Sequence, residues 1–132
     1  MRTSTRRCRG TAGALAAVAL LSGCASLEAD DAGAVAAAFE DGAADPADRC
    51  ALLTPATLTA LESDESAPCA DAISRIPLQG GAVEAVEVWG GNAQVRLSGD
   101  TVFLTETAAG WRVVAAACQP RGGAPYDCEV ES

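Results

Sequence analysis

The chain has 132 residues, of which nine are arginine, none is lysine or histidine and 18 are acidic, so its formal net charge is −9. This length fits one domain, and the acidic balance argues against nucleic-acid binding, which needs clustered basic side chains to neutralise phosphates. The lack of histidine excludes Ser/His/Asp triads, Cys/His dyads and imidazole metal sites.

The first 24 residues follow the order typical of a bacterial export signal. Four arginines lie within the first nine residues, an apolar run covers residues 11–21, and the segment ends in Ser22, Gly23 and Cys24. A basic start, an apolar middle and a small-residue end predict a signal peptide over residues 1–23.

Residues 21–24, Leu-Ser-Gly-Cys, resemble the lipobox of bacterial lipoproteins. The resemblance implies cleavage between Gly23 and Cys24 and attachment of lipid, with acyl chains such as palmitate, to Cys24, which makes the membrane a partner. Two acyl chains are enough for stable anchoring. Two alternatives stay open: a membrane-spanning helix over the uncharged interval 10–27, which three glycines and two serines weaken, and an ordinary secretory signal beside an unrelated cysteine.

Cleavage there would leave a mature chain with five arginines and all 18 acids, a formal net charge of −13. We expect this chain at the extracytoplasmic face of the cell membrane, with residues 24–30 as a polar tether and residues 31–132 as the folded domain. The acidic clusters at 28–31 and 62–65 do not match the spacing of a calcium loop and are expected to be solvated. The sequence predicts no metal site and no cofactor.

Apart from Cys24, four cysteines remain in the mature domain: Cys50, Cys69, Cys118 and Cys128. An even number in a small exported domain predicts two disulfides. Sequence alone permits three connectivities, and we favour Cys50–Cys69 with Cys118–Cys128 because each pair lies within one local unit. A four-cysteine zinc site is the alternative, weakened by the absence of any C-x-x-C pair.

The first half of the domain is predicted to be helical. A helix capped by Asp30 or Asp31 is expected to end near Glu40, with Phe39 on its apolar face. Three further helix starts are each marked by a proline: Asp45-Pro46, Thr54-Pro55 and Pro68-Cys69. Proline suits the first turn of a helix, and Pro77 is expected to end the last one.

Gly80-Gly81 marks the change from helical to alternating hydrophobicity. Glycine-containing turns separate five predicted strands, at 83–89, 93–97, 101–107, 111–118 and 126–130. The fourth is apolar on both sides: Trp111, Val113, Ala115 and Ala117 are expected to form one face, and Val114 and Ala116 the other. Such a strand is either central in its sheet or covered by a second subunit in a homodimer.

Helices followed by antiparallel hairpins give an α+β arrangement. This order, the segment Gly-Trp-Arg-Val-Val-Ala-Ala at 110–116, and the sequences Cys-Gln-Pro at 118–120 and Pro-Tyr-Asp-Cys at 125–128 resemble small NTF2-like (cystatin-like cone) lipoproteins of high-G+C Gram-positive bacteria. The resemblance implies N-terminal helices packed on a curved antiparallel sheet, often with a pocket at the wide end and often a dimer through the sheet.

Enzymes of that superfamily, ketosteroid isomerases and dehydratases among them, use an Asp or His base with an acidic or tyrosine partner inside the cone. No residue of this chain matches those roles. Asp100 and Asp127 fall in predicted turn or loop segments, and Tyr126 is the only tyrosine. We therefore assign no catalytic residue.

Three functions stay open. We favour a noncatalytic, lipid-anchored extracytoplasmic domain that binds a partner protein or a small apolar ligand at the cell envelope. Trp89, Phe103 and Trp111 are its candidate pocket residues, but core packing is the role we favour for them, because the chain has few other large hydrophobic side chains. The second function is an isomerase- or dehydratase-type enzyme, and the third is a structural envelope protein that dimerises through the face of Val114 and Ala116.

Overall fold

A computed structural model describes residues 18–132, with the side chains of all of these except residues 18–23 and 124. Most of the predicted signal peptide, including Cys8, therefore lies outside the described residues. Four helices come first: α1 (Val18–Glu40), α2 (Pro46–Cys50), α3 (Pro55–Glu65) and α4 (Cys69–Ile73). Five strands follow: β1 (Val83–Trp89), β2 (Asn92–Leu97), β3 (Thr101–Thr107), β4 (Gly110–Arg121) and β5 (Ala124–Glu131).

The two proline-marked caps before α2 and α3 are confirmed. Asp45 accepts a hydrogen bond from the backbone N–H of Ala47 at 2.8 Å, and Thr54 accepts one from Thr57 at 3.2 Å. Each side chain satisfies a backbone donor that the first helical turn cannot pair internally. The last helix ends earlier than predicted, at Ile73, because the residue before a proline already disfavours the helical conformation.

The predicted start of α1 is wrong. The helix begins at Val18 and continues through residues 24–30, the predicted tether, to Glu40. The physical reason is local: this stretch is rich in alanine and leucine and has no proline, so Asp30 and Asp31 are never needed as caps. The predicted buried face is confirmed, since Ala32, Ala36 and Phe39 are fully buried.

The strands form one antiparallel sheet in the order β1-β2-β3-β4-β5, so the α+β prediction is confirmed. Along β2, Ala93, Val95 and Leu97 are buried while their neighbours are not. This alternation places the helices on one face of the sheet, over a core that includes Phe39 and Ile73.

A bulge in β4 changes which of its alanines face the core. Val113 pairs with Leu104 of β3, but Ala115 pairs with the preceding residue, Phe103, so Val114 is the extra residue. Beyond the bulge Ala116 is fully buried, in the core with Val113, whereas Ala115 is only half-buried. Val114 and Ala116 therefore do not share an exposed face, and the dimer surface predicted from them is not present as one.

The segment between α2 and α3 covers the free edge of β4. Val113 donates its N–H to the carbonyl of Leu52 at 2.8 Å and accepts from the N–H of Thr54 at 3.0 Å. These bonds take the place of β5, which pairs with β4 only from Ala115 onward. Helices and sheet are thus joined through backbone hydrogen bonds as well as through the core.

The first helix runs antiparallel to β1. Glu40, at the end of α1, contacts Gly80. Gly33, about two helical turns before Glu40, lies beside Val83 and Val86. The N-terminal part of α1 and the β1–β2 hairpin therefore lie at one end of the sheet, which we call the hairpin end. Glu40 and the β2–β3 turn lie at the other end.

Within residues 18–132, no helix has both the length and the hydropathy that crossing a bilayer requires.

Candidate functional site

The cysteines after Cys24 form the two predicted disulfides. Cys50 is bonded to Cys69, which ties α2 to α4, and Cys118 is bonded to Cys128 at directly opposite positions of β4 and β5. Cys24 is exposed and is the free cysteine of the described residues. Both predicted disulfides are therefore confirmed, and the predicted lipid-attachment residue is the one left with an unpaired thiol.

The three candidate pocket residues lie apart in the structure. Trp111 is in the core with 6% of its surface exposed, whereas Trp89 is 49% exposed at the end of β1. Phe103 is half-buried and meets Tyr126 edge to face, with ring centroids 5.1 Å apart. The strand alternation separates them, since Trp111 and Phe103 point to opposite faces of the sheet.

The structure instead brings together two carboxyl groups that the sequence did not connect. Glu40 ends α1 and Asp100 lies in the turn between β2 and β3, and both are buried, with 4% and 7% of their surface exposed. Asp100 acts on Glu40 both as a side-chain hydrogen-bond partner and as a neighbouring negative charge, and both effects raise the pKa of Glu40. Two carboxyl groups can share such a bond only when one of them carries a proton.

Asp100 is held by three backbone hydrogen bonds. Its Oδ1 accepts hydrogen bonds from the N–H groups of Thr101 at 2.7 Å and Cys118 at 2.9 Å, and its Oδ2 accepts one from Ala117 at 2.7 Å. Ala117 has a φ of 53°, an uncommon conformation for alanine that aims two consecutive N–H groups at one carboxylate. Three donors of this kind stabilise an ionised carboxylate.

Glu40 serves as the protonated member. Its Oε2 accepts the N–H of Gly80 at 3.0 Å, while its Oε1 has no N–H or hydroxyl donor among residues 18–132. The pKa of Glu40 is raised to about 8, mainly by burial and then by the hydrogen bond and negative charge of Asp100. Glu40 is therefore protonated at neutral pH and can act as a hydrogen-bond donor toward Asp100.

A buried arginine completes the surroundings of the pair. Arg49 of α2 donates from Nε to the carbonyl of Phe39 at 2.7 Å, and its guanidinium lies 5.9 Å from the centre of the Phe39 ring. Its charge acts to lower the pKa of Glu40, but less strongly than burial raises it. Arg49 thus supplies a cation to the C-terminal end of α1, where helix carbonyls lack partners.

Two clefts flank the carboxyl pair. One, of about 440 Å³, is lined by Glu40, Asp41 and the loop 78–81. The other, of about 450 Å³, is lined by Asp100, Gln119 and Glu129 among others. Both are open and mainly polar, unlike the enclosed apolar pockets that hold small apolar ligands.

The sequence interpretation of the acids was partly wrong. Asp100 is a turn residue as expected, but it is also buried and accepts three hydrogen bonds. Asp127 lies on β5 rather than in a loop; as expected it is solvated, and it forms an exposed ion pair with Arg121 at 2.7 Å. For Glu40, the sequence did not indicate burial, only a place at the end of a helix.

Among the described residues no group of three or more Cys, Asp or Glu side chains could hold a metal ion.

Comparisons with family models, with curated proteins and with solved structures found no match to this chain.

Proposed function

We propose that this protein is a noncatalytic domain held at the extracytoplasmic face of the cell membrane by lipid on Cys24, where it binds a partner protein. The observation that carries the proposal is the division of the cysteines. All four described cysteines after Cys24 are paired in two disulfides, and among the described residues Cys24 is the cysteine with an exposed, free thiol.

Disulfides of this kind support export, because structural disulfides form and persist in oxidising compartments outside the cytoplasm. Export in turn supports the interpretation of residues 1–23 as a signal peptide. A free cysteine directly after Leu-Ser-Gly then has a chemical role, since the lipobox pattern requires a thiol to receive the diacylglyceryl group. A chain of net charge −13 also stays soluble while its lipid holds it at the surface.

The absence of a catalytic role in the proposal rests on how the carboxyl pair is used. An acid–base catalyst must present an oxygen to its substrate. Here Asp100 accepts three backbone N–H groups, Glu40 accepts one, and the remaining Glu40 oxygen is buried. The pair therefore joins α1, the loop before β1, the β2–β3 turn and β4, which is a structural task.

A protein partner is favoured over a small apolar ligand. The three aromatic side chains proposed to line a pocket lie in three different places, and the two clefts beside the carboxyl pair are polar and open. Such clefts would bury too little of a small apolar molecule to bind it tightly.

The finer fold assignment belongs to this proposal as well. We propose that the domain is NTF2-like, an assignment supported by the helices that precede an antiparallel sheet and pack on one of its faces. A homodimer through the sheet would have to use residues other than the pair Val114 and Ala116, because Ala116 is in the core.

The test is fractionation of cells that produce the full chain or its Cys24→Ala variant. We expect the wild-type protein in the membrane fraction and the variant in the soluble extracytoplasmic fraction. Ser26→Ala, two residues further along the same helix, is the matched control and should stay with the membrane. Equal release of wild type and Cys24→Ala would overturn the proposal.

A further inference from the structure

The hairpin end of the sheet has the features of a membrane-contacting surface. Two hairpin tips lie there, residues 89–92 and 107–110, and neither contains a charged residue. From these tips and from Trp89 and Arg112 beside them, we infer that the hairpin end rests on the lipid surface that holds Cys24. This inference deepens the proposed function and rests on lipidation of Cys24.

The first argument is position. Gly33 lies beside Val86, and α1 runs antiparallel to β1. From Gly33 back to Cys24 the helix rises roughly 13 Å, and from Val86 on to Trp89 the strand extends roughly 10 Å. Cys24 and Trp89 therefore lie at similar heights at the same end of the molecule, so lipid on Cys24 would bring the hairpin tips to the membrane.

The second argument is exposure. Trp89 is 49% exposed and Leu27, one turn after Cys24, is 64% exposed, and with Val83 they are the exposed large hydrophobic side chains of the described residues. Two of the three are thus at the hairpin end. Tryptophan favours the boundary between lipid headgroups and acyl chains, where its ring is apolar and its indole N–H can meet water.

The third argument is charge. Arg112 lies beside the 107–110 tip, since its Nη1 is 4.0 Å from where a Cβ on Gly110 would be. Neither ion pair of residues 18–132 involves this guanidinium, which donates to the carbonyl of Trp111. It is therefore available to a lipid phosphate. On the strands the acids nearest the tips are Glu87 and Glu106, one or two residues before them, and on α1 Glu28 directly follows Leu27, so the contact has to be shallow enough to leave these carboxylates in water.

The experiment measures whether Trp89 meets lipid. The full chain, produced in a bacterium that lipidates exported proteins, is reconstituted into phosphatidylcholine vesicles containing phosphatidylglycerol, with and without brominated acyl chains that quench tryptophan. The chain has two tryptophans, so Trp89→Phe isolates the signal of buried Trp111. Glu129→Trp in that variant places a reporter beside the cleft at the opposite end.

We expect brominated lipid to quench wild-type fluorescence at least twice as strongly as that of Trp89→Phe, and the reporter at position 129 to be unaffected. Mass measurement of Cys24 in the same samples separates the two proposals. Lipid on Cys24 together with an unquenched Trp89 would overturn the membrane-contacting surface alone. A Cys24 without lipid would overturn the surface and the proposed function together.

Discussion

The carboxyl group of Glu40 lies against that of Asp100, and this contact joins the end of α1 to the turn between β2 and β3. Around it, Gly80 donates to Glu40, and Ala117 and Cys118 donate to Asp100. These contacts join four segments of the chain. The protonation of Glu40 depends on pH, so the stability of the fold should depend on pH as well.

We expect the free energy of unfolding to fall between about pH 4.5 and pH 8. The pKa of Glu40 is raised from 4.5 to about 8 in the folded state, because burial disfavours its charged form. In this window the folded chain binds the extra proton, so the stabilisation is fully present below 4.5 and is lost as pH rises through 8. The pKa difference sets a ceiling of about 5 kcal/mol on the loss. Urea denaturation across this range measures it.

The matched variant for this prediction is Glu40→Gln. Its amide can accept from Gly80 and donate to Asp100 without titrating, so the decline in stability above pH 4.5 should become shallower. A profile as steep as that of the wild type would contradict the assignment of the proton to Glu40.

Replacement of Asp100 by asparagine should cost about 2–3 kcal/mol of stability. The carboxylate now accepts hydrogen bonds from the N–H groups of Thr101, Ala117 and Cys118. In the variant, the amide nitrogen would face at least one of these donors and could not accept from it. Thermal or urea unfolding gives the value. Asp127→Asn, whose carboxylate is in an exposed ion pair, is the control and should change stability by less than about 1 kcal/mol; equal effects would refute the buried role of Asp100.

Removal of either disulfide should lower the free energy of unfolding by about 3 kcal/mol on the chain-entropy estimate. The double variants are Cys50→Ala with Cys69→Ala, and Cys118→Ala with Cys128→Ala, whose partners are 19 and 10 residues apart in sequence. Urea denaturation compares them with the wild type. Peptide mapping without reduction should recover both linked pairs, and a peptide linking Cys50 to Cys118 would contradict the connectivity.

Ser66→Gly should stabilise the domain by about 0.5–1 kcal/mol. Ser66 ends α3 with φ 50° and ψ 39°, and its N–H reaches back to the carbonyls of Glu62 and Ser63. Glycine adopts this left-handed conformation without a Cβ penalty, and the exposed Ser66 side chain loses little. Ser66→Val should lower the melting temperature. If glycine and valine shift it in the same direction, backbone conformation is not what limits this cap.

Local sequence signals were enough to predict most of the fold. Asp45 and Thr54, each followed by proline, predicted the starts of α2 and α3, and alternation bounded by glycine predicted five strands close to their observed limits. The β4–β5 hairpin is longer than predicted: β4 reaches Arg121 and β5 begins at Ala124. The predicted loop is only a two-residue turn between them, so its two prolines and two glycines did not prevent pairing.

The candidate site and the inner face of β4 could not be predicted in this way. Valine and alanine occupy both sides of β4, so the hydrophobic pattern does not reveal that Val114 is an extra, bulged residue. Glu40 and Asp100 are far apart in the sequence and each stands where a solvated acid is common. Only the tertiary fold brings them together, and only their burial distinguishes them from the other acids of an acidic chain.

The intact mass of the native protein, purified from the membranes of the cells that naturally produce it, tests the central claim most directly. The account predicts a chain that begins at Cys24 and carries a diacylglyceryl group there. Its mass should also be lower than that of the fully reduced chain by two hydrogens for each of the two disulfides. A native chain in which the sulfur of Cys24 bears no lipid would contradict the account.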